Sequence, residues 1–220
     1  MYLKLVPSGM ETKLVVDRLK YEKQLWAENY KRIMGLDEVG RGCLAGPVVA
    51  AGVIFAPNVS INGIRDSKAI PLKERLELAN TIKEKALFWT VQEGSIDLIA
   101  QRNILWASIE TMRRCTEVKG ASPDYLLVDG SRYTASIIPH QCVVKGDDKS
   151  ISIGAASILA KVYRDELMER LGNEYSEFNW KSNVGYPTPE HKKALIEYGY
   201  TEHHRRGFKL GTEKKYIKKS

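Results

Sequence analysis

The chain has 220 residues, of which 43% are hydrophobic and 28% charged, a balance typical of a folded globular protein and not of a disordered one. Its three cysteines, Cys43, Cys115 and Cys142, lack any C-x-x-C spacing, which argues against a zinc site or a disulfide framework and favours a reducing, cytoplasmic setting. No stretch reaches the roughly 20 apolar residues of a membrane-spanning helix, and no secretory signal peptide is predicted.

The net charge of +7 is concentrated at the C-terminus. Residues 203–220 contain seven lysines and arginines against one acid, Glu213, so the rest of the chain is close to neutral. A basic tail of this kind either keeps the chain end solvated or attracts the phosphate backbone of a nucleic acid in a salt-sensitive way.

The first part of the chain predicts a helix followed by two strands. Residues 11–31 are polar and helix-prone. The run RIMGLDE (residues 32–38) is short and apolar, and PVVAAGVIFAP (residues 47–57) is rich in Val and Ile, so both predict core strands. We expect the first strand to end at Asp37, which would free Asp37 and Glu38 from the alternation of side chains along a strand.

A helix, a strand and a second helix follow. Pro71 is expected at the first position of a helix over residues 71–87. The apolar face of that helix is predicted from residues at helical spacing: Leu72, Leu76, Ala79, Ile82 and Ala86. The run FWTVQEG (residues 88–94) predicts a third strand. Ser95 then caps a helix that carries four apolar residues: Leu98, Leu105, Ile109 and Met112.

Two further strands are predicted to end in acids. DYLLVDG (residues 124–130) ends at Asp129, and QCVVKGD (residues 141–147) ends near Asp147. A long helix is predicted over residues 150–171. The last predicted helix has a capping residue, an opening proline and a closing glycine: Thr188, Pro189 and Gly199.

This order of elements predicts an α/β domain of about five strands with a helical C-terminal part. We divide the chain into an N-terminal helical extension (residues 1–32), a catalytic domain (residues 33–172), and a C-terminal helical segment with the basic tail (residues 173–220).

Four acids are predicted at strand ends: Asp37, Glu38, Asp129 and Asp147. Sites in α/β sheets gather at the carboxyl ends of strands, where several carboxylates repel one another unless they are protonated or bridged by cations. Their hard oxygen atoms suit Mg²⁺ or Mn²⁺. The alternative is that each acid forms a turn, since Asp before Gly is an ordinary way to leave a strand. Turn chemistry has no use for Glu38, however.

Five segments stand in order along the chain: GLDEVGRGCLAGPVVAAGVIF (residues 35–55), DSK (66–68), LLVDG (126–130), VVKGDDKSISIGAASILAKVYRD (143–165) and NVGYPTPEH (183–191). Together they resemble the ribonuclease HII family, the type 2 ribonucleases H, over about residues 33–208. The resemblance implies an RNase H-like fold of the α/β class, with a mixed five-stranded sheet flanked by helices and a C-terminal helical part.

The resemblance also implies an endonuclease that hydrolyses the RNA strand of RNA·DNA hybrids. It would cut 5′ of single ribonucleotides in duplex DNA, leave 5′-phosphate and 3′-hydroxyl ends, and serve ribonucleotide excision repair and DNA replication. Carried over by motif, the catalytic metal ligands are Asp37, Glu38, Asp129 and Asp147, in preference to Asp148. They would hold two Mg²⁺ or Mn²⁺ ions about 4 Å apart, one activating the attacking water and one stabilising the leaving 3′ oxygen.

Substrate contacts are implied in the same way. The backbone of Gly40-Arg41-Gly42 resembles the family segment that contacts the ribose 2′-hydroxyl, and Tyr186 matches the tyrosine that packs on the sugar at the RNA-to-DNA junction. Candidate phosphate contacts are Lys68, Lys145, Lys149, Ser150 and Lys161. Each lysine is alternatively a solvated surface charge.

The sequence offers two interpretations for Arg164 and Asp165 and a structural one for the C-terminal histidines. Arg164 and Asp165 form either an internal salt bridge or a support for catalysis. His191, His203 and His204 are expected to be structural, because hard cations do not need them.

Two other functions stay open at this point. One is another RNase H-like nuclease that cuts DNA, and the other is a non-catalytic, basic nucleic-acid-binding module. The expected partners are RNA·DNA hybrids and DNA that contains ribonucleotides, with the protein acting as a monomer and without a membrane.

Overall fold

The computed structural model describes residues 17–208. Its strands are β1 (Ile33–Val39), β2 (Val48–Phe55), β3 (Ala86–Gly94), β4 (Tyr125–Asp129) and β5 (His140–Val143). They form one sheet in the order β3-β2-β1-β4-β5, in which β1 pairs antiparallel with β2 and parallel with β4. β3 is antiparallel to β2, and β5 is parallel to β4. The predicted mixed five-stranded sheet is therefore confirmed.

The helices are α1 (Lys20–Ala27), α2 (Leu72–Lys85), α3 (Ile96–Glu117), α4 (Ile151–Glu174), α5 (Trp180–Asn183) and α6 (Pro189–Tyr198). The predicted caps Ser95 and Thr188 both accept a backbone N–H from the first turn of their helix. None of the helices within residues 17–208 is long and apolar enough to cross a lipid bilayer. The start of the predicted N-terminal helix (residues 11–16) and most of the basic tail (residues 209–220) lie outside the described residues.

β2 is buried on both faces because helices cover the sheet from both sides. Val49, Ala51 and Val53 pack in one cluster with α2 and α4. Ala50 and Ile54 point to the other face, where α3 packs. Alternation along the strand therefore assigns odd-numbered residues of this strand to the α4 side and even-numbered ones to the α3 side.

The buried face of α2 agrees with the prediction at Ala79 and Ile82 but not at Leu72 and Leu76. Leu72 and Leu76 are 58% and 38% exposed, and Pro71 is the N-cap instead of the first helical residue. The buried residues are Arg75, Leu78, Ala79 and Ile82. The helix is turned this way because the Arg75 guanidinium is buried, where it donates to the carbonyl of Ser67 and the carboxylate of Asp165.

α4 lies against β1 at the closest backbone approach in the fold. A Cβ atom built on Gly35 of β1 would stand 2.1 Å from the carbonyl carbon of Ser152 and 2.4 Å from the amide nitrogen of Ile153. Only glycine allows the helix to come this close. The early small residues Ala155 and Ala156 are fully buried in the same layer, as the sequence predicts.

α1 packs on the end of α4. Its Glu22 carboxylate accepts hydrogen bonds from the hydroxyls of Ser150 and Ser152, at 2.5 and 2.7 Å, and from the Ser152 amide. Leu25 of α1 belongs to the same apolar cluster as Ile33 of β1. These contacts join the predicted N-terminal extension to the sheet, and the proposed domain division at residue 32 stays a prediction.

Two neutral histidines connect the C-terminal helices. The Trp180 indole N–H donates to His191 Nε2, and His191 Nδ1 lies 2.9 Å from the carbonyl of Tyr186. His204 Nε2 lies 3.1 Å from His191 Nε2, while its Nδ1 accepts the amide N–H of Thr201. One tautomer satisfies all of these contacts: His191 carries its proton on Nδ1 and His204 on Nε2.

The close contact of α4 with β1 predicts that Gly35→Ala destabilises the protein by about 3 kcal/mol or more, because the new methyl group would meet helix backbone that cannot move aside. Urea unfolding measures this change. Gly42→Ala is the matched control, since its Cβ would meet only a Tyr186 ring atom at 3.8 Å. Equal stability of the two variants would contradict the packing described.

The histidine pair predicts a loss of stability in acid. Burial and the neighbouring His191 and His203 lower the pKa of His204 from 6.5 to about 4. The contribution of neutral His204 to the stability is therefore fully present above pH 6.5. It is lost as the pH drops toward 4, by on the order of 2 kcal/mol. Unfolding measured from pH 7 to pH 4 should show a flatter profile for His204→Asn. His140→Gln replaces an exposed histidine and is the control. Its pH profile should be the same as that of the unmodified protein.

Candidate active site

The first two acids lie inside β1, not at its end. β1 continues to Val39, and Asp37 and Glu38 pair with Ala51 and Ala50 of β2. The prediction that the strand ends at Asp37 is therefore wrong. The open side of β1 is instead the one toward β4, because the parallel pairing with β4 ends at Leu36. Beyond that residue the two strands separate and leave room for side chains.

Strand alternation points the two adjacent carboxylates to different sides of the sheet. Asp37 faces α4, where it lines one cavity together with Ser157, and only 6% of Asp37 is exposed. Glu38 reaches a cavity on the α3 side as well as the cavity that it shares with Asp37. The pair therefore approaches the gap between β1 and β4 from both sides.

The four predicted acids meet in one cavity of about 350 Å³. Its walls also contain five residues that the sequence singled out: Gly40, Arg41, Gly42, Lys68 and Tyr186. The remaining lining residues are Val39, Ser67 and Ser157. The acids come from β1, from the end of β4 and from the turn after β5, so residues far apart in the sequence converge on this cavity.

Asp147 does not end a strand. β5 stops at Val143, and Asp147 lies in a short 3₁₀ turn, Gly146–Asp148, that begins after Lys145 adopts a left-handed conformation with φ 55°. The turn is tied to β4, because the Gly146 N–H donates to Asp129 Oδ1 at 2.7 Å. Its geometry therefore brings Asp147 next to Asp129.

Asp148, the neighbour of Asp147, is used differently. Its carboxylate pairs with Arg18 at 3.2 Å and accepts the backbone N–H of Asp66. Arg18 also donates to the carbonyl of Asp147 at 2.9 Å. Asp148 and Arg18 together hold the turn that presents Asp147, and Asp148 does not line the cavity of the four acids.

The acids disfavour one another's charge. Burial, followed by the charges of Glu38 and Asp129, raises the pKa of Asp37 well above its usual value. Burial likewise raises the pKa of Glu38, against the opposing effect of Arg41, whose guanidinium lies 3.1 Å from the Glu38 carboxylate. Burial and Asp129 raise the pKa of Asp147. Cations in the cavity would relieve this repulsion.

The residues present suit divalent cations. All four convergent ligands are carboxylates, which are the ligands that Mg²⁺ and Mn²⁺ prefer. Within residues 17–208, however, no three acidic, histidine or cysteine side chains already surround a common point closely enough to enclose an ion. Glu38 is turned toward Arg41 and Asp129 toward the Gly146 amide, and each uses one carboxylate oxygen for this hydrogen bond.

Two buried arginines hold the glycine-rich loop that forms one wall of the cavity. Arg164 donates to the carbonyls of Ala45, Pro47 and Val184 at 2.8 to 3.2 Å. Arg205 donates to the carbonyls of Gly46 and Arg41 at 2.8 and 3.2 Å. A Cβ on Gly40, whose φ is +93°, would lie 2.3 Å from the Arg164 side chain. Glycine is required at this position by both conformation and space.

Sequence reasoning missed the role of these arginines. The sequence places Arg205 in the basic tail. For Arg164 the salt-bridge alternative is wrong, because its partners are carbonyls, and a supporting role in catalysis stays a prediction. The salt bridge predicted for this region is formed by Asp165, which pairs with Arg75 and with Lys161 at 2.6 Å. No local pattern distinguishes an arginine that binds carbonyl groups from one that faces solvent.

Tyr186 faces the glycine-rich loop. It is half-buried, its ring lies near Gly42, and burial raises the pKa of its phenol. The Tyr186 N–H donates to the carbonyl of Asn183 at 2.8 Å, and its carbonyl is bound by His191. The backbone of this residue is therefore fixed from both sides.

Four predicted phosphate contacts do not line the cavity of the acids: Lys145, Lys149, Ser150 and Lys161. Ser150 is fully buried, since its hydroxyl caps α4 and binds Glu22, so its predicted contact with substrate is wrong. Lys149 donates to the carbonyl of Val144, and Lys161 is paired with Asp165. Lys68 does line the cavity, and its charge lowers the pKa of Glu38.

The repulsion among the acids predicts that Asp37→Asn stabilises the protein by roughly 1–3 kcal/mol at neutral pH without divalent cations. Because the pKa of buried Asp37 is raised, the wild-type protein loses stability as the pH rises above 3.8, and the variant avoids this loss. Urea unfolding in a chelator checks both statements. Asp97→Asn, at an exposed position in α3, is the control, and an equal gain there would refute the explanation.

The comparisons with known proteins agree with the fold and identify the family. The family model described as ribonuclease HII matches residues 34–211. The ribonuclease HII of Salinibacter ruber is 50% identical over 196 residues, which cover 87% of this chain and 98% of that protein.

Solved structures share the fold. The ribonuclease H2 of Pyrococcus horikoshii has a TM-score of 0.71 at 24% identity, covering 83% of this chain and 96% of that one. Bst-RNase HIII in complex with Mn²⁺ has a TM-score of 0.61 at 19% identity, covering 84% of this chain and 69% of that one. The sequence match over most of the chain and the shared mixed sheet lead to one conclusion: this chain belongs to the ribonuclease HII family.

Proposed function

We propose that this ribonuclease H hydrolyses the RNA strand of RNA·DNA hybrids and cuts 5′ of single ribonucleotides in duplex DNA. The products would carry 5′-phosphate and 3′-hydroxyl ends. The observation that carries the proposal is the cavity in which four carboxylates face the Gly40–Gly42 backbone and Tyr186. Carboxylates supply the chemistry of phosphodiester hydrolysis, and the opposite wall supplies groups able to recognise a ribose.

Asp37, Glu38, Asp129 and Asp147 are the residues proposed to hold divalent cations, Mg²⁺ or Mn²⁺. Such ions, when bound, activate a water molecule and neutralise charge that develops on the phosphate and on the leaving 3′ oxygen. The RNase HIII with Mn²⁺ supports a divalent cation in this fold. The raised pKa values of Asp37, Glu38 and Asp147 support it independently, because they show that the uncompensated cluster is electrostatically unfavourable.

The chain itself positions the substrate. Gly40, Arg41 and Gly42 expose backbone groups toward the cavity, where a 2′-hydroxyl can exchange hydrogen bonds with them. Tyr186 stands across from Gly42 and would pack on the sugar of the neighbouring nucleotide. Lys68 is oriented by a short turn whose cap, Asp66, accepts the Lys68 N–H, and its ammonium group would contact a phosphate.

We further propose that the protein acts as a monomer. Arg164 packs against Gly40 and donates to the carbonyl of Val184, two residues before Tyr186, so it braces both parts of this cavity wall before substrate binds. Such preorganisation lowers the cost of ordering the site when the substrate arrives.

The decisive assay uses duplex DNA with one embedded ribonucleotide, together with an all-DNA duplex and an RNA·DNA hybrid. With Mg²⁺ or Mn²⁺ we expect cleavage 5′ of the ribonucleotide, none in all-DNA, and none after addition of a chelator. Asp129→Asn should lower kcat by at least about 10²-fold, since it removes a proposed ligand, while thermal unfolding shows an intact fold.

Each alternative has its own outcome in that assay. Cleavage of the all-DNA duplex would point to a DNA-cutting nuclease of the same fold. Binding without cation-dependent cleavage of any substrate would point to a nucleic-acid-binding module. Full turnover by Asp129→Asn would refute the four-carboxylate site, and Asp97→Asn is the control with an unchanged rate.

A further inference from the structure

A groove runs from the acid cluster along α3. Its first part is a cavity of about 250 Å³ between α3 and the loop after β4. Glu38 and Asp129 stand at the end next to the acids, and Arg132 lines the loop side. A second cavity of about 220 Å³ continues beyond Ile109, which lines both cavities. We call the two cavities together the α3 groove.

The far end of the α3 groove carries an exposed tryptophan. Trp106 is 51% exposed and lines the second cavity with Arg102, Arg113 and Thr134. Its exposed indole offers a flat apolar face beside the groove. Aromatic side chains beside arginines are the typical surface for sugars and bases of nucleic acids.

Trp106 is held in place by an unusual backbone. Asn103 interrupts α3 with φ 63° and ψ 167°, and its Oδ1 accepts the N–H groups of Leu105 and Trp106 at 3.0 and 3.3 Å. A non-glycine residue with this conformation is uncommon and energetically unfavourable, and such residues cluster at functional positions. Asn103 therefore caps the second part of α3, and Trp106 lies in the first turn after the interruption.

Two arginines of the α3 groove have free guanidinium groups. Within residues 17–208, Arg102 and Arg132 form no ion pair and no side-chain hydrogen bond, and both are exposed. Arg113 is different, because Glu110 and Glu117 already bind it. The unpaired charges are therefore placed on either side of the groove, one on α3 and one on the loop.

We propose that the α3 groove binds the duplex that flanks the cleavage position. Arg102 and Arg132 contact its phosphates, and Trp106 packs on a sugar or an exposed base. The inference rests on the proposed function, because the acid cluster defines where the groove begins. Continuity with Glu38 and Asp129 and the unpaired positive charges favour nucleic acid over a protein partner as the occupant.

The test compares Trp106→Ala and the double variant Arg102→Ala/Arg132→Ala with the wild-type protein. The substrate is a ribonucleotide-containing duplex that extends at least about ten base pairs, one helical turn, on both sides. We expect KM to rise about five- to tenfold with kcat changed less than about twofold. Shortening the flank that occupies the groove, almost to the ribonucleotide, should remove the difference between the variants and the wild-type protein.

The salt dependence of KM distinguishes the loss of a phosphate contact from a general loss of structure. Loss of two phosphate contacts should reduce the slope of log KM against log salt concentration by about 1.8, since each contributes about 0.9. Arg102→Lys/Arg132→Lys should restore the slope, and Trp106→Phe should restore most of the affinity. The matched controls are Trp89→Ala and Arg170→Ala. Trp89 is a 39% exposed tryptophan on β3 and Arg170 an exposed arginine on α4, and neither lines this groove.

Binding of the same labelled duplex without divalent cations, followed by fluorescence anisotropy, tests the groove independently of cleavage. If the wild-type protein cuts nothing, the proposed function fails, while weaker binding by the groove variants still supports the inference. If the variants match the controls in KM, affinity and salt slope, the groove does not bind nucleic acid and the inference is overturned.

Discussion

The glycine-rich loop depends on two buried guanidinium groups. Within residues 17–208, neither Arg164 nor Arg205 pairs with a carboxylate, and both are at least 98% buried. Burial lowers the pKa of Arg205 to about 10, so it still carries a positive charge at neutral pH. Such charges are tolerated only because backbone carbonyls accept their N–H groups. The carbonyls belong to the loop after β1 and to Val184, two residues before Tyr186, so the two arginines join the two segments proposed to contact the ribose.

The acid cluster imposes the opposite constraint. Its carboxylates are brought together where β1 and β4 separate, at a cost that the sheet and α4 must offset through burial of apolar surface. The carboxylates at the gap repel one another, and they are also the residues proposed to bind cations. The fold therefore holds mutually repelling carboxylates at a place where a bound cation can neutralise them, as active sites commonly do.

Residues of the N-terminal and C-terminal parts position the groups of the cavity without lining it themselves. Arg18 and Asp148 hold the turn that carries Asp147, while His191 binds the carbonyl of Tyr186. The α3 groove extends the cavity along the other face of the sheet. Residues from nearly the whole described chain are thus needed to position a small number of reacting groups, which explains why the family resemblance spans most of the sequence.

The sequence by itself determined the five strands, the caps Ser95 and Thr188 and the identity of the acids, because periodicity and capping are local properties. Its short motifs also indicated the family. Only the tertiary structure decided that Asp37 and Glu38 lie within β1 and that Ser150 is buried with its hydroxyl bound to Glu22. It also decided which residues of α2 are buried. It alone showed that Arg205 binds carbonyls 159 and 164 residues away in the chain. Burial and hydrogen-bond partners depend on segments that folding brings together, and no local pattern contains that information.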